Sequence, residues 1–387
     1  MRLIPTQTQM RLIPTQTQMR LTPLKVAFLL GSVLALVIWC CGGWRSGWWN
    51  LGVIKALPES DNKTKGLLFL HFPDYYGIET ILGTAFFSSC AKKCYITTNS
   101  SRLDDADAVL FYSHHQQQHT PLDPAKKNPN QKWIFFASES PANSHPLNIS
   151  TPAWRCKFDW TMTYRYDSDF FHGYGRLSRR YVPASFEQKT ADVKKWKENF
   201  RTKTRLVAWF VSNCKTESFR EKYVEQLSRY IPVDVYGNCG SLKCEDRRRC
   251  LEMLTHRYKF YLAFENSLCT DYVTEKLFNV FKLNSVVPVV RGGADYRKHF
   301  PPGSVIDTND FPSPERLASF LKHLAQNESA YVEKLQWSWD YQVLGPSMPL
   351  CQICQLLHSP HTAPCVYQDV AHWWAKDTCY KPRDLPT

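Results

Sequence analysis

The chain has 387 residues, more than one small domain needs and enough for two of about 150 residues each. Apolar residues make up 43% and aromatics 14%, which excludes a globally disordered chain. The formal charge of +13 points to a polyanionic partner (nucleic acid, membrane surface or phosphorylated small molecule) without choosing among them.

Residues 1–9 and 10–18 are the same nonapeptide, MRLIPTQTQ, and a third copy begins at Met19. So short, polar and proline-bearing a repeat reads as an unstructured tail over 1–25. Val26–Trp44, VAFLLGSVLALVIWCCGGW, then runs nineteen residues without a charge, close to the ~20 that span a bilayer. Arg2, Arg11, Arg20 and Lys25 precede it and the first acid is Glu59, so positive-inside logic keeps the N-terminus cytoplasmic. The long apolar stretch and the lack of a small-x-small cleavage site argue against a cleaved signal peptide. The expectation is a single-pass signal anchor over 26–44, a stem over 45–65 and a lumenal remainder. Sequons at Asn62, Asn99, Asn148 and Asn327, and twelve of the fourteen cysteines, lie beyond the span. Both suit a compartment where N-glycans are added and disulfides persist. A lumenal location makes nucleic acid a poor partner.

From Gly66 the pattern changes. GLLFLHF, KCYITTN, AVLFYS and KWIFFAS are short apolar runs spaced as buried strands, which places a first domain over 66–200. Lys189–Lys203 reads as a charged linker helix. A second series, RLVAWFVSN, VDVYG, FYLAFEN and SVVPVVRG, fills 201–345. Amphipathic helices are expected between these strands at Ser218–Tyr230, Glu245–Arg257 and Asp271–Leu283. Alternating strand and helix predicts an α/β chain: two Rossmann-like domains, each a parallel sheet covered on both faces, meeting across a cleft. Ligands of such sheets bind outside the carboxyl ends of the strands.

Phe264–Lys276, FENSLCTDYVTEK, lies where one strand ends and a helix begins, and it holds Glu265, Asn266, Asp271, Glu275 and Lys276. Asp271 is the expected N-cap, with Val273, Leu277, Val280 and Phe281 as the buried stripe. Glu275 and Lys276 then fall in the first turn, where a helix favours an anion. Ser218-Phe-Arg-Glu221 reads as a capping box that puts Arg220 at a second helix start. Two cations at two helix N-termini on one sheet edge suit a diphosphate. Neither GxGxxG nor GxxxxGK[ST] occurs, so a typical dinucleotide fold and a P-loop enzyme are both excluded.

Other constellations weigh less. Asp167-Ser-Asp169 has the spacing with which metal-dependent GT-A glycosyltransferases hold manganese, but it reads better as a structural or acceptor-side network. His114, His115 and His119 in HHQQQH lack a completing carboxylate and read as an exposed loop. Cys351-x-x-Cys354, followed by Cys365 and Cys379, reads as disulfide-forming in a lumenal chain. Cys239, Cys244 and Cys250 form a local cluster.

Taken together, these motifs resemble the alpha-1,3-fucosyltransferases, type II Golgi enzymes of the GT-B fold. The resemblance runs from about Gly66 to Tyr341. It is carried by FENSLCTDYVTEKLFN, SVVPVVRGG, FASESP (Phe136–Pro141), WTMTYRYDSD (Trp160–Asp169) and VSN (Val211–Asn213). It implies transfer of L-fucose from GDP-fucose to the 3-hydroxyl of a GlcNAc with inversion, Glu139 being the general base. It also implies that Arg220 and Lys276 bind the diphosphate, that Glu275 holds ribose hydroxyls and that Tyr272 lines the nucleotide-sugar pocket. Ser212 and Asn213 join these as donor-binding candidates, and Glu265 and Asn266 either contact the donor or satisfy the buried turn. C-terminal cysteine pairs of this family bridge back to the N-terminal domain, which makes Cys90 and Cys94 candidate partners for Cys351 and Cys354. No cofactor is required on this reading, and stimulation by a divalent cation (Mn or Mg) is left open. The expected partners are GDP-fucose and a glycoprotein N-glycan, core or antennary. Residues 346–387, a Cys-rich tail, have no clear counterpart and are expected to cap the acceptor side. The competing readings are a GT-A-type enzyme using Asp167 and Asp169, and a non-catalytic lumenal glycan-binding protein. The second sits poorly with the presence of Glu139, Arg220, Glu275 and Lys276 together.

Overall fold

The near-continuous apolar runs form strands buried on both faces. The structure, a computed structural model, describes residues 64–70, 83–113, 123–144, 148–244, 246–346, 348–359 and 365–385. The expected cytoplasmic tail, the span over 26–44, Asn62 and the HHQQQH run lie outside these residues. Among the described residues no helix is long and apolar enough to cross a membrane.

In chain order the main elements begin with β1 (Lys65–Leu70), β2 (Cys94–Thr97), β3 (Ala108–Tyr112), β4 (Lys132–Ala137), β5 (Trp160–Thr163), β6 (Phe170–Phe171) and β7 (Arg176–Arg179). Then come α1 (Phe186–Thr202), β8 (Arg205–Phe210), α2 (Arg220–Ser228), β9 (Val233–Tyr236), α3 (Arg247–Arg257), β10 (Tyr258–Phe264) and β11 (Leu268–Cys269). They are followed by α4 (Glu275–Leu283), β12 (Val287–Arg291), α5 (Tyr296–His299), β13 (Ile306–Asp307), α6 (Pro314–Leu324), α7 (Glu328–Glu333) and β14 (Tyr341–Leu344). The C-terminal segment supplies α8 (Leu350–Leu357), α9 (Val370–Ala375) and β15 (Cys379–Tyr380).

The first sheet has the order β2-β1-β3-β4-β5-β6 and the second β13-β12-β10-β8-β9, with every neighbouring pair parallel. In each sheet the first strand in sequence lies between the second and the third. The order therefore reverses there, and the loops after β8 and β10 diverge to leave a crevice at their carboxyl ends. Two antiparallel pairs, β7 with β14 and β11 with β15, complete the described ladders.

Helix α1 is longer than the expected Lys189–Lys203 because Ser185 caps it, accepting from Gln188 N. It is no free linker: Trp196 and Phe200 are buried against the second sheet, and the Trp196 indole donates to Asn284 O at 2.9 Å. The expected capping box at Ser218 is overturned. Its hydroxyl donates instead to Glu265 O at 2.7 Å, and Glu221 takes the Thr216 hydroxyl at 2.9 Å, so α2 starts at Arg220 behind a left-handed Phe219 (φ 47°). Asp271 does not cap α4 either. Thr274 does, while the Asp271 carboxylate accepts from Tyr166 N at 3.1 Å.

The C-terminal segment is more than a cap on one side. Leu350, Ile353 and Cys354 of α8 pack on one face of the first sheet, with Leu67, Phe69 and Leu110. Val370, Ala371 and Trp374 of α9 pack on the other, with Leu68, Val109, Trp133 and Phe135. All twelve cysteines beyond the expected span are paired: Cys90–Cys351, Cys94–Cys354, Cys156–Cys365, Cys214–Cys239, Cys244–Cys250 and Cys269–Cys379. Four of these bonds tie the C-terminal segment to the rest of the chain. Asn99 and Asn327 are exposed and each accepts a backbone N–H at a helix start, and Asn148 opens a single 3-10 turn.

Candidate active site

The motif loop is organised by a carboxylate inside it. Glu265 is fully buried at the end of β10, and Oε1 accepts from Thr274 N at 2.8 Å. The Thr274 hydroxyl lies 2.9 Å from Oε2, and the Lys276 ammonium donates to the same oxygen at 3.0 Å. Lys276 also donates to the Thr274 hydroxyl at 2.8 Å and lies 3.7 Å from Glu275. Burial works against the Lys276 charge, but Glu265 and Glu275 outweigh it and raise its pKa. Burial likewise raises the Glu265 pKa, opposed by Lys276. Glu265 thus satisfies the buried turn and holds Lys276, and it is not among the residues lining the neighbouring pocket.

Arg220 reaches the same region from α2. Its Nη1 donates to Phe264 O at 2.7 Å and Nη2 to Asn213 O at 3.2 Å, over the Trp209 ring. Among the described residues no carboxylate lies within ion-pair distance of it, and its buried Nε has no hydrogen-bond partner. Burial lowers its pKa, yet a guanidinium remains charged.

These two cations border a pocket of about 500 Å³ at the carboxyl ends of β8 and β9. Its walls are Phe210, Val211, Ser212, Arg220, Tyr236, Gly237, Tyr261, Glu275, Lys276, Asn279 and the Cys244–Cys250 disulfide, with Cys250, Leu251 and Val280 from two helices. The size is within the usual range for a small-molecule site. Gly237 has φ 101°, and a Cβ there would sit 2.4 Å from Val211 O, so the two loops touch only because it is glycine. Of the residues expected from sequence, Ser212, Arg220, Glu275 and Lys276 meet at this pocket. Asn213 contributes its carbonyl to Arg220, and Asn266 contributes its carbonyl to Ser218 N.

Tyr272 goes elsewhere. It is buried, and its hydroxyl donates to Glu139 Oε2 at 2.9 Å. Glu139 stands just past β4, partly exposed, with the Tyr174 hydroxyl 3.5 Å from its Oε1. Burial, then Tyr174 and Glu139, raise the Tyr272 pKa, so the phenol stays a donor. The motif loop of the second sheet therefore touches the first sheet's carboxylate directly.

The Asp167-Ser-Asp169 run is engaged in separate internal bonds. Asp167 forms a two-pronged pair with Arg165 at 2.8 and 2.5 Å. Asp169 Oδ2 accepts from Thr161 N at 2.7 Å and from the Tyr367 hydroxyl at 2.7 Å. The cluster Cys94, Cys354 and His358 has the compactness of a metal site, but its two sulfurs form a disulfide. Sequence reasoning missed Asn279, Tyr236 and Tyr174. Asn279 was within reach, being one helical turn beyond Glu275 on the same face.

Known proteins share this organisation. The profile described as Fucosyltransferase, N-terminal matches residues 63–175, and that described as Glycosyltransferase family 10 (fucosyltransferase) C-term matches residues 200–373. Alpha-(1,3)-fucosyltransferase C of Drosophila melanogaster is 38% identical over 291 residues, covering 69% of this chain and 65% of its own length. An alpha-(1,3)-fucosyltransferase of Caenorhabditis elegans is 32% identical over 303 residues, covering 76% of this chain and 66% of its own length. The chain thus spans just under two thirds of these two relatives. For a 4-galactosyl-N-acetylglucosaminide 3-alpha-L-fucosyltransferase of Homo sapiens, the identity is 36% and 73% of each chain is covered. The crystal structure of an alpha1,3-fucosyltransferase with GDP-fucose has the same fold, with TM-score 0.51 and 15% identity over 81% of this chain and 95% of that one. With 36% identity across 73% of the human relative, and family profiles over both sheets, the chain belongs to glycosyltransferase family 10, the fucosyltransferases.

Proposed function

We propose that this chain is an inverting alpha-1,3-fucosyltransferase that moves L-fucose from GDP-fucose to a GlcNAc of glycoprotein N-glycans, core or antennary. One observation carries the reading. Two cations, Arg220 and Lys276, border a pocket at the carboxyl edge of one parallel sheet, and a carboxylate presented by the other sheet contacts the same motif loop. The relatives' names support fucose as the transferred sugar.

In this reaction the nucleoside sits in the pocket, Glu275 accepts from ribose hydroxyls, and Arg220 and Lys276 meet the diphosphate. The bond from fucose C1 to the phosphate oxygen breaks as the acceptor 3-hydroxyl attacks the opposite face of C1. Its proton passes to Glu139. The charge that collects on the departing diphosphate is stabilised by the two cations and by the N-termini of α2 and α4. A single displacement needs no second carboxylate, which agrees with the internal engagement of Asp167 and Asp169. No dedicated metal is required on this reading, and Mn or Mg acts at most as a stimulant. The two sheets are read as the two domains of a GT-B enzyme. On this reading residues 26–44 anchor the chain in the Golgi membrane, with the catalytic part in the lumen.

The test incubates the full chain with GDP-fucose and a panel of N-glycans, in EDTA, beside Glu139→Ala. Transfer that survives EDTA and is lost in the variant is the expected result, and the modified glycan names the acceptor. Transfer that disappears in EDTA but persists in Glu139→Ala would overturn the base assignment and favour Asp167 and Asp169.

A further inference from the structure

Tyr272 lies in the motif that carries the phosphate-facing lysine, four residues before it, yet it does not line the pocket. Its ring is 1% exposed and packs against Tyr164 at 4.9 Å and Tyr174 at 6.4 Å between ring centroids. Trp374 of α9 closes the cage from behind Tyr164 at 5.4 Å. The backbone is fixed as firmly. Tyr272 N donates to Cys269 O at 3.1 Å, Thr270 N donates to Thr378 O at 2.7 Å, and Cys269 is bonded to Cys379. What this scaffold presents is one hydroxyl, aimed at Glu139 Oε2 at 2.9 Å. The Tyr174 hydroxyl donates to Ser138 O at 3.1 Å, which holds the Glu139 main chain's neighbour in place.

We propose that Tyr272 is the positioning residue of the base: its phenol fixes the orientation of Glu139, so that Oε1 faces the acceptor hydroxyl. The inference rests on Glu139 being the base. A phenol that donates to Oε2 locks one rotamer of the carboxylate. The acceptor proton then lands on Oε1, with the Tyr272 bond intact before and after transfer. The same loop holds the leaving-group cation, so one rigid segment sets the distance between base and diphosphate. The ionisable groups around the phenol are Tyr164, Tyr174, Glu139 and Glu265, with Arg165 and Asp271 beyond Tyr164.

Tyr272→Phe keeps the ring and removes the donor. Its kcat is expected to fall about 10- to 100-fold while the KM for GDP-fucose changes by less than about twofold. Because the ring, the fold and the donor pocket are kept, the loss falls on kcat and not on donor binding. Fluorotyrosine at position 272 keeps both the ring and the donor and is expected to hold kcat within about threefold of the parent. Calorimetric binding of GDP-fucose reports on the fold and the donor pocket of each variant. A tenfold rise in the GDP-fucose KM of Tyr272→Phe with kcat unchanged would make Tyr272 a donor contact and overturn the inference. Glu139→Ala separates the two readings. If it still transfers fucose, the base assignment itself fails. If it is inactive and Tyr272→Phe keeps the kcat of the parent, only the positioning role falls.

Discussion

The Lys276 ammonium lies 3.0 Å from Glu265, a carboxylate with no solvent exposure at the end of β10. Among the described residues Lys276 is the only cation within ion-pair distance of it. The lysine that faces the pocket is therefore also the counter-ion of a buried charge, so the proposed donor contact and local stability share one side chain.

Lys276→Met is expected to lower the unfolding free energy by roughly 3–5 kcal/mol, the usual consequence of leaving a buried charge unpaired. It should also weaken GDP-fucose binding. Adding Glu265→Gln removes the stranded charge and keeps an acceptor for Thr274, so stability should return while donor affinity does not. Denaturant melts and GDP-fucose titrations of the single and double variants check this. Recovery of both properties together would show that Lys276 acts only through the fold.

Arg220 is held by two main-chain carbonyls, Phe264 O and Asn213 O, and among the described residues no carboxylate lies within ion-pair distance of it. Its charge is thus free for an anion, and its fork fits that geometry in a way an ammonium cannot. Arg220→Lys is expected to raise the GDP-fucose KM about 10- to 100-fold with a smaller effect on melting. Steady-state kinetics at varied donor concentration decide it.

The Cys244–Cys250 disulfide lines the pocket, and a second disulfide braces two of the loops that form it. Cys214–Cys239 joins the loops that carry Ser212 and Gly237, which also meet through Cys239 N to Val211 O at 3.4 Å. Removing the pair as Cys214→Ala with Cys239→Ala should raise the GDP-fucose KM while leaving the acceptor KM nearly unchanged. A 25-residue separation makes the chain-entropy contribution about 3.5 kcal/mol. An unchanged donor KM would mean the bond serves only the fold.

The strands were legible in the sequence because parallel sheets bury both faces, so runs such as KWIFFA and RLVAWF carry little polar interruption. Arg220, Glu275 and Lys276 were legible because helix N-termini attract anions. The caps were not. Ser218 and Asp271 have capping chemistry, but a carbonyl from β10's loop and the Tyr166 amide compete for them across the fold. No local pattern contains that competition. The contact of Tyr272 with Glu139 was hidden for the same kind of reason: its direction is set by Tyr164 and Trp374, which lie 108 residues before it and 102 after it in the chain. The C-terminal segment has no strong periodicity of its own, and its place on both faces of the first sheet follows from the disulfides and from partners far away in sequence.

Lys203, the C-cap of α1 just before β8, offers a test at the end of the sheet away from the pocket. It is 5% exposed, its ammonium donates to Ser285 O, and burial with help from Lys259 pushes its pKa down to about 7. An unfolded lysine titrates near 10.4, so between pH ~7 and ~10.4 the unfolded chain binds the extra proton. Stability from this group therefore rises as pH increases through that window, and the penalty of burying the charge is fully felt below pH ~7. The span corresponds to at most roughly 4–5 kcal/mol. Lys203→Met should be more stable than the parent at pH 6 and should lose this rise, because the Tyr331 hydroxyl still reaches Ser285 O at 3.3 Å. Melting temperatures of the two chains from pH 6 to 9.5 check it: curves that converge as pH rises support a buried, readily neutralised lysine, and parallel curves would show that Lys203 keeps its proton throughout.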